Sequence, residues 1–197
     1  MSTLTLEEQA APSTPGANKV VIYPKADGLL YGQDDAGTER PLVGPTISTV
    51  QSTSSGTAIS FTGIPTWTKR ITAVFDGISS NDSSNPRIQI GDSGGYQTSS
   101  YLASSGFGAT MAIDTGGFPI SPVTASSSIF SGIATLCLMD SATNLWGFSS
   151  NVGYSNAAGV SVGGGSKALP LTLDRLRLTA VNGTDTFDAG SINILYE

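Results

Sequence analysis

The chain has 197 residues, nine of them basic and fifteen acidic, no histidine, one cysteine and a net charge of −6. The balance leaves no basic footprint for nucleic acid and no polybasic patch for anionic lipid, and the missing histidines remove the usual base for a serine or cysteine nucleophile. The length suits one domain of roughly 150 residues plus an arm; abundant Gly, Ser and Thr with few Glu, Lys and Arg suit strands and turns over exposed helices.

In chain order, residues 1–18 are polar and contain Pro12 and Pro15, which predicts an extended arm that orders only against another surface. They have neither the cationic region nor the apolar run of a signal peptide, so no secretory leader is expected. No apolar run of about eighteen residues occurs, so no membrane span is expected either. Lys19 to Tyr23 reads as a strand, Ala26-Asp27-Gly28 as a turn and Leu29 to Tyr31 as a second strand; Asp-Gly between apolar runs is a hairpin signal. Asp35-Ala36-Gly37 makes another turn. So small a hairpin is marginal alone, so Val20, Ile22, Leu29 and Tyr31 are expected to meet a partner surface. Gly44-Pro45 punctuates the chain and divides it into 1–45 and 46–197.

From Thr46 onward every segment reads as strand or turn. "TISTVQS" and "TAISF" flank Ser54-Ser55-Gly56. "RITAVFDGI" sets Ile71, Ala73 and Phe75 on one face, and "RIQIG" sets Ile88 and Ile90 together. "SSSIFSGIATLCLMD" is a longer strand with a bulge expected at Gly132. "NLWGFSS", "VGYSN" and "GVSVGGG" follow, and then "LPLTLDRLRLTAV" with Leu171, Leu173, Leu176 and Leu178 and a change of phase at Asp174-Arg175. "SINILYE" aligns Ile192, Ile194 and Tyr196. No helical period persists over twelve residues. Turns every eight to twelve residues predict an all-β, jelly-roll-like sandwich over 46–197 with under about a tenth helix.

Several motifs suggest chemistry. Gly91-Asp92-Ser93-Gly94-Gly95 is the pentapeptide around the nucleophile of trypsin-like proteases, but that serine needs a histidine base; a strand running into a Gly-rich turn accounts for it. "GGGSKA" (163–168) has Ser before Lys and Pro170 where a phosphate loop needs its helix, so it reads as a mobile loop. Asn182, Asp185 and Asp188 offer calcium-type oxygen ligands without the EF-hand spacing, and Asx-turns explain them more simply. Asp76, Asp92, Asp114, Asp140, Asp174 and Asp188 could pair as glycosidase carboxylates only across a cleft that the sequence does not define. Cys137 reads as a small buried hydrophobe. Catalytic, cofactor and metal residues are therefore expected to be none. Trp146 and Phe148 alternate as core residues, whereas Tyr96 and Tyr101, flanking the segment after the Gly-rich turn, read equally as core or as rings for glycan contact.

The segment "GANKVVIYPKADGLLYGQDDAGTERPL" resembles one near the N-termini of tailed-bacteriophage tail-fibre and related virion proteins: Tyr23, Lys25, Asp27-Gly28, Leu30-Tyr31 and Gly37-Thr38-Glu39 match, and Pro24 departs from the pattern. "ISFTGIPTWTKRITAVFDGIS", "IQIGDSGGYQTSSYL" and "NGTDTFDAGSINILYE" resemble a domain of phage and prophage virion proteins. The resemblance implies a non-enzymatic homotrimer that reaches the virion from the host cytoplasm. Residues 1–45 would anchor it to other virion proteins, with Val20, Ile22, Leu29 and Tyr31 as virion or trimer contacts, and the β-domain would face outward. Two placements stay open: a tail-fibre-like protein contacting host-surface polysaccharide, and a head-fibre or capsid-decoration protein that stabilises the head. A polysaccharide-degrading enzyme is the third reading.

Overall fold

Apolar and polar residues alternate along most of the chain, and the backbone follows the alternation into strands. The computed structural model describes residues 5–42, 44–122 and 124–197, and among these seventeen strands and no helix occur. The first four residues of the expected arm, and Val43 beside the expected boundary, lie outside the described residues. A far-UV spectrum should accordingly lack the helical double minimum; its presence would contradict the strand assignment. The chain divides into two compact units, 1–46 and 47–197.

The first unit carries a three-stranded antiparallel sheet of β1 (Val21–Pro24), β2 (Leu30–Gln33) and β3 (Glu39–Pro41). The Asp27-Gly28 turn closes the first hairpin: Asp27 Oδ1 accepts from Leu29 N at 3.0 Å, and Gly28 takes φ 78°. The third strand was not expected. Asp34 builds it, because its Oδ1 accepts from Ala36 N at 3.0 Å and from Thr38 N at 2.8 Å and so turns the chain back. Residues 5–18 contain no strand, yet they are tied to this unit: Gln9 N donates to Pro24 O at 3.1 Å and Asn18 N to Asp35 Oδ2 at 2.7 Å.

The second unit holds two antiparallel sheets. The large one comprises β4 (Thr46–Ile47), β5 (Gln51–Ser52), β7 (Arg70–Ser80), β10 (Leu102–Phe107), β11 (Thr110–Asp114), β13 (Phe130–Asp140), β14 (Leu145–Tyr154), β15 (Val160–Ala168) and β17 (Phe187–Tyr196), ordered β11-β10-β15-β14-β13-β7-β17-β4 with β5 on β17. The small one comprises β6 (Ala58–Thr62), β8 (Pro86–Asp92), β9 (Gly95–Tyr96), β12 (Phe118–Pro119) and β16 (Arg175–Ala180), ordered β12-β8-β16-β6 with β9 on β8. Both contribute to one apolar core: Ile71, Leu136, Trp146 and Ile194 from the large sheet, and Phe61, Ile88, Ile90 and Leu178 from the small. Phe118 stacks on Phe148 with centroids 4.5 Å apart. The result is sandwich-like and all-β.

The expected bulge is present, since the β13–β7 register slips between Phe130 and Gly132. Leu173, Leu176 and Leu178 are buried, but Leu171, in the loop before β16, is exposed. Two expectations are corrected. Residues 163–168 are not a loop; they run through β15, between β10 and β14. The glycines are there because the backbones crowd: a Cβ on Gly163 would lie 2.6 Å from Ser150 Oγ, and one on Gly165 2.6 Å from Ala103 Cβ. Cys137 is exposed, because β13 turns Leu136 into the core and the next residue outward.

Candidate interaction surface

The pentapeptide at 91–95 is a hairpin. β8 ends at Asp92, β9 begins at Gly95, and Ser93-Gly94 makes the turn. The buried Asp92 carboxylate accepts from Gly94 N at 2.8 Å and from Leu171 N at 3.1 Å, so it fastens the turn to the loop before β16. Ser93 is exposed at the tip. The chain holds no histidine to serve as its base, and Ser93 sits where the turn takes a small polar residue. Ser93→Ala should shift the unfolding free energy by less than about 0.5 kcal/mol in a denaturant titration.

The two tyrosines part company. Tyr101 is 1% exposed and edge-on to Phe118 at 4.8 Å. Its hydroxyl accepts from Ile90 N at 2.9 Å and faces Gln97 O at 3.1 Å, and burial pushes the phenol up from its ordinary pKa. It is a core residue, which corrects its reading as a glycan contact: the non-strand segment between β9 and β10 delivers the ring inward. Tyr96 lies half-buried on the outer face of the small sheet. The Arg177 guanidinium is 4.4 Å from its ring centroid and that of Arg175 is 5.8 Å away. Arg177 Nε donates to Gln89 Oε1 at 2.8 Å.

The acidic cluster near the C-terminus is an Asx-turn arrangement. Asn182 Oδ1 accepts from Thr184 N at 3.0 Å, and Asp185 Oδ2 accepts from Ser84 N at 2.9 Å. Asp188 Oδ1 accepts from the Ser79 hydroxyl at 2.6 Å. These bonds tie the connection between β16 and β17 to Ser84 in the loop after β7 and to Ser79 of β7.

Of the expected contact residues in the first unit, Val20 and Ile22 are 65% and 60% exposed and Leu29 is also exposed. Tyr31 is engaged within its own hairpin: its hydroxyl donates to Asp27 Oδ2 at 2.8 Å, and Lys25 Nζ lies 4.5 Å from its ring centroid. Lys25 also pairs with Glu39 at 2.5 Å.

Sequence reasoning missed the outer face of the large sheet. Strand register assembles it. One row runs Ile113, Ser104, Gly164, Ser149, Thr135, Thr72 across six strands. The next runs Met111, Gly106, Val162, Asn151, Ile133, Val74. Leu102, Ile113 and Met111 are 76%, 81% and 71% exposed, and Val160, Val162, Ile133 and Met139 are exposed with them. From β11 to β13 the outward residues are uncharged until Asp140 at the far end of β13; on β7, Arg70 and Asp76 are exposed in the outward phase. The relief is uneven. Large apolar side chains rise at the β11-β10-β15 end, and glycine and serine form a low floor over Gly147, Ser149 and Gly164.

Six strands at about 4.8 Å spacing, with outward residues about 6.8 Å apart along each, give a projected area on the order of 600 Å². The face mixes large apolar side chains with serine, threonine and glycine, and its area is at the upper end of the largest patch on a typical monomer, which is often functional. A signal was present in the sequence: "IATLCLM" places large apolar side chains in both strand phases, as a strand does when neither face is left to water.

No family model, curated protein or solved structure matches the chain.

Proposed function

We propose that the chain is a non-enzymatic structural protein of a tailed-phage particle: a trimeric short fibre whose residues 1–45 dock on other virion proteins and whose jelly-roll-like β-domain is displayed outward, where it contacts host-surface glycans. The observation that carries this reading is the outer face of the large sheet, uncharged over β11, β10, β15 and β14 and along β13 up to Asp140. A net charge of −6 would repel like chains, but none of that charge lies on this face between β11 and the end of β13, so copies meet there without a Coulomb penalty. Side-chain relief adds to the projected area, bringing it close to the roughly 800 Å² per partner of a standard interface. The apolar ridge of one copy has the glycine-serine floor of the next to fill. The division into two units supports an anchor separate from the displayed domain, with Val20, Ile22 and Leu29 uncovered for docking.

Deleting residues 1–45 is expected to leave a soluble β-domain that melts cooperatively within a few degrees of the full chain, because the core lies entirely within 47–197. The same deletion should abolish incorporation into particles. Incorporation at wild-type copy number would place the anchor in the β-domain instead. Immunogold labelling with antibody to residues 46–197 tests the placement: tail labelling supports the fibre, and head labelling redirects the reading to a decoration protein.

A further inference from the structure

Among the described residues of the β-domain seven buried side-chain polar atoms lack a partner, and two of them, on Trp146 and Thr68, belong to residues that line one cleft. The cleft, about 90 Å³, opens where three connections meet: the loop before β7, the turn between β13 and β14, and the loop before β16. Trp146 is 2% exposed and its indole Nε1–H donates to nothing; Thr68 is 3% exposed and its hydroxyl is equally unpaired. Leaving a buried donor unmade is costly, and native interiors rarely do so without cause. The packing at this position does not demand an N–H, since Phe148, two residues on, fills the same core without one.

The other lining residues set the chemistry. Lys69 takes no part in the four salt bridges among the described residues. Thr66, Ser141 and Thr172 bring exposed hydroxyls and Asn144 an amide, while Leu138 and Leu173 supply the apolar wall. Asn144 is held at φ 48°, with its carbonyl accepting from Leu169 N at 3.1 Å, which fixes that wall. No carboxylate lines the cleft. An indole N–H and an ammonium can only donate, so the cleft calls for acceptors, and Lys69 calls for negative charge. Water supplies the first and not the second.

We propose that this cleft binds the carboxylate of a sugar acid, with the carboxylate accepting from Trp146, Thr68 and Lys69 and the sugar hydroxyls meeting Thr66, Ser141 and Thr172. The assignment rests on the proposed glycan-contacting function for the source of the ligand, a free uronate or a uronate within a polysaccharide, and on the cleft alone for its chemistry.

The test uses the full chain with ¹⁵N-labelled indoles. The sequence has two tryptophans, so two indole signals are expected, and Trp146→Phe identifies the relevant one. That signal should move saturably with sodium glucuronate and stay still with glucose. Thr68→Val and Lys69→Met should each weaken binding at least about tenfold, the loss of a hydrogen bond to a charged group. Thr68→Val should also melt no lower than the parent, because it exchanges an unpaired buried hydroxyl for a methyl; a lowered melting temperature with unchanged binding would assign Thr68 to structure and overturn its role. Tighter binding of oligoglucuronate than of glucuronate places the ligand in a polysaccharide, and equal binding makes it a single sugar acid. A stationary Trp146 signal across the millimolar range, an equal response to glucose, or a response indifferent to both variants overturns the proposal. Glucuronate binding and particle labelling fail separately, so loss of one leaves the other standing.

Discussion

Replacing Leu102 and Ile113 together by lysine is expected to leave 20.1 kDa monomers in light scattering, where the parent chain elutes at a multiple of that mass. Both side chains stand on the outer face of the large sheet, 76% and 81% exposed in the isolated chain, on the two adjoining strands β10 and β11. Burying each against a neighbour is worth roughly 1.5–3 kcal/mol. Losing both therefore costs each interface about 3–6 kcal/mol, a fall in affinity of roughly two to four decades. Lysine adds like-charge repulsion where the parent face has none. The core is untouched, since the inward neighbours Ala103 and Ser105 keep their places, so the β-domain should melt as before once the contribution of association is subtracted. A parent chain that is monomeric at high micromolar concentration would rule out the face as the contact between copies.

What the sequence made legible followed from period and punctuation. Ile71, Ala73 and Phe75, Ile88 and Ile90, and Ile192 and Ile194 all entered the core, because a strict two-residue period leaves a strand one way to hide its apolar side chains. The bulge at Gly132 and the turn at Asp92-Ser93-Gly94 followed from residue chemistry alone. What stayed hidden depended on neighbours far away in the chain. The glycines at 163–165 look like a loop until β10 and β14 close around them; only the packed sheets explain why side chains are missing there. Cys137 was misplaced because the phase of a strand, not the polarity of a residue, decides which face it takes; of the two readings open for Tyr101, the core one holds. No particular strand was read within residues 102–119, yet they form β10, β11 and β12. The outer face escaped because it belongs to no single segment; it exists only once six strands are set in register. The cleft at Trp146 was still less accessible, since an unpaired indole N–H is a property of packing and leaves no trace in composition.

Gly91→Ala should be among the most damaging single substitutions in the β-domain. Gly91 sits in β8 with Arg175 of β16 on one side and Tyr96 of β9 on the other. A Cβ there would lie 2.8 Å from Tyr96 Cα and 2.9 Å from the Gly95 carbonyl carbon. Those are backbone atoms of a tight hairpin, not the ends of flexible side chains, so the clash is relieved only by peeling β9 from β8. That movement breaks the Gly91–Tyr96 pair, takes the Tyr96 ring off the Arg177 guanidinium and disturbs the turn in which Asp92 holds Gly94 and Leu171. It also strains the bond by which Asp174 N donates to Gly91 O at 3.1 Å. Overpacking of this kind costs about 3 kcal/mol, a fall of roughly 6–12 °C in melting temperature for a chain of this size. Two neighbours provide the contrast. Gly94→Ala meets only Asp92 Oδ1, at 3.1 Å, a side-chain atom with room to adjust, and should fall by no more than a few degrees; Ser93→Ala should not move the melt. A nucleophile motif would order these three residues the other way, with the serine decisive. If Gly91→Ala melts with the parent, the hairpin is not closed over β8, and Tyr96 is free to swing away from the small sheet.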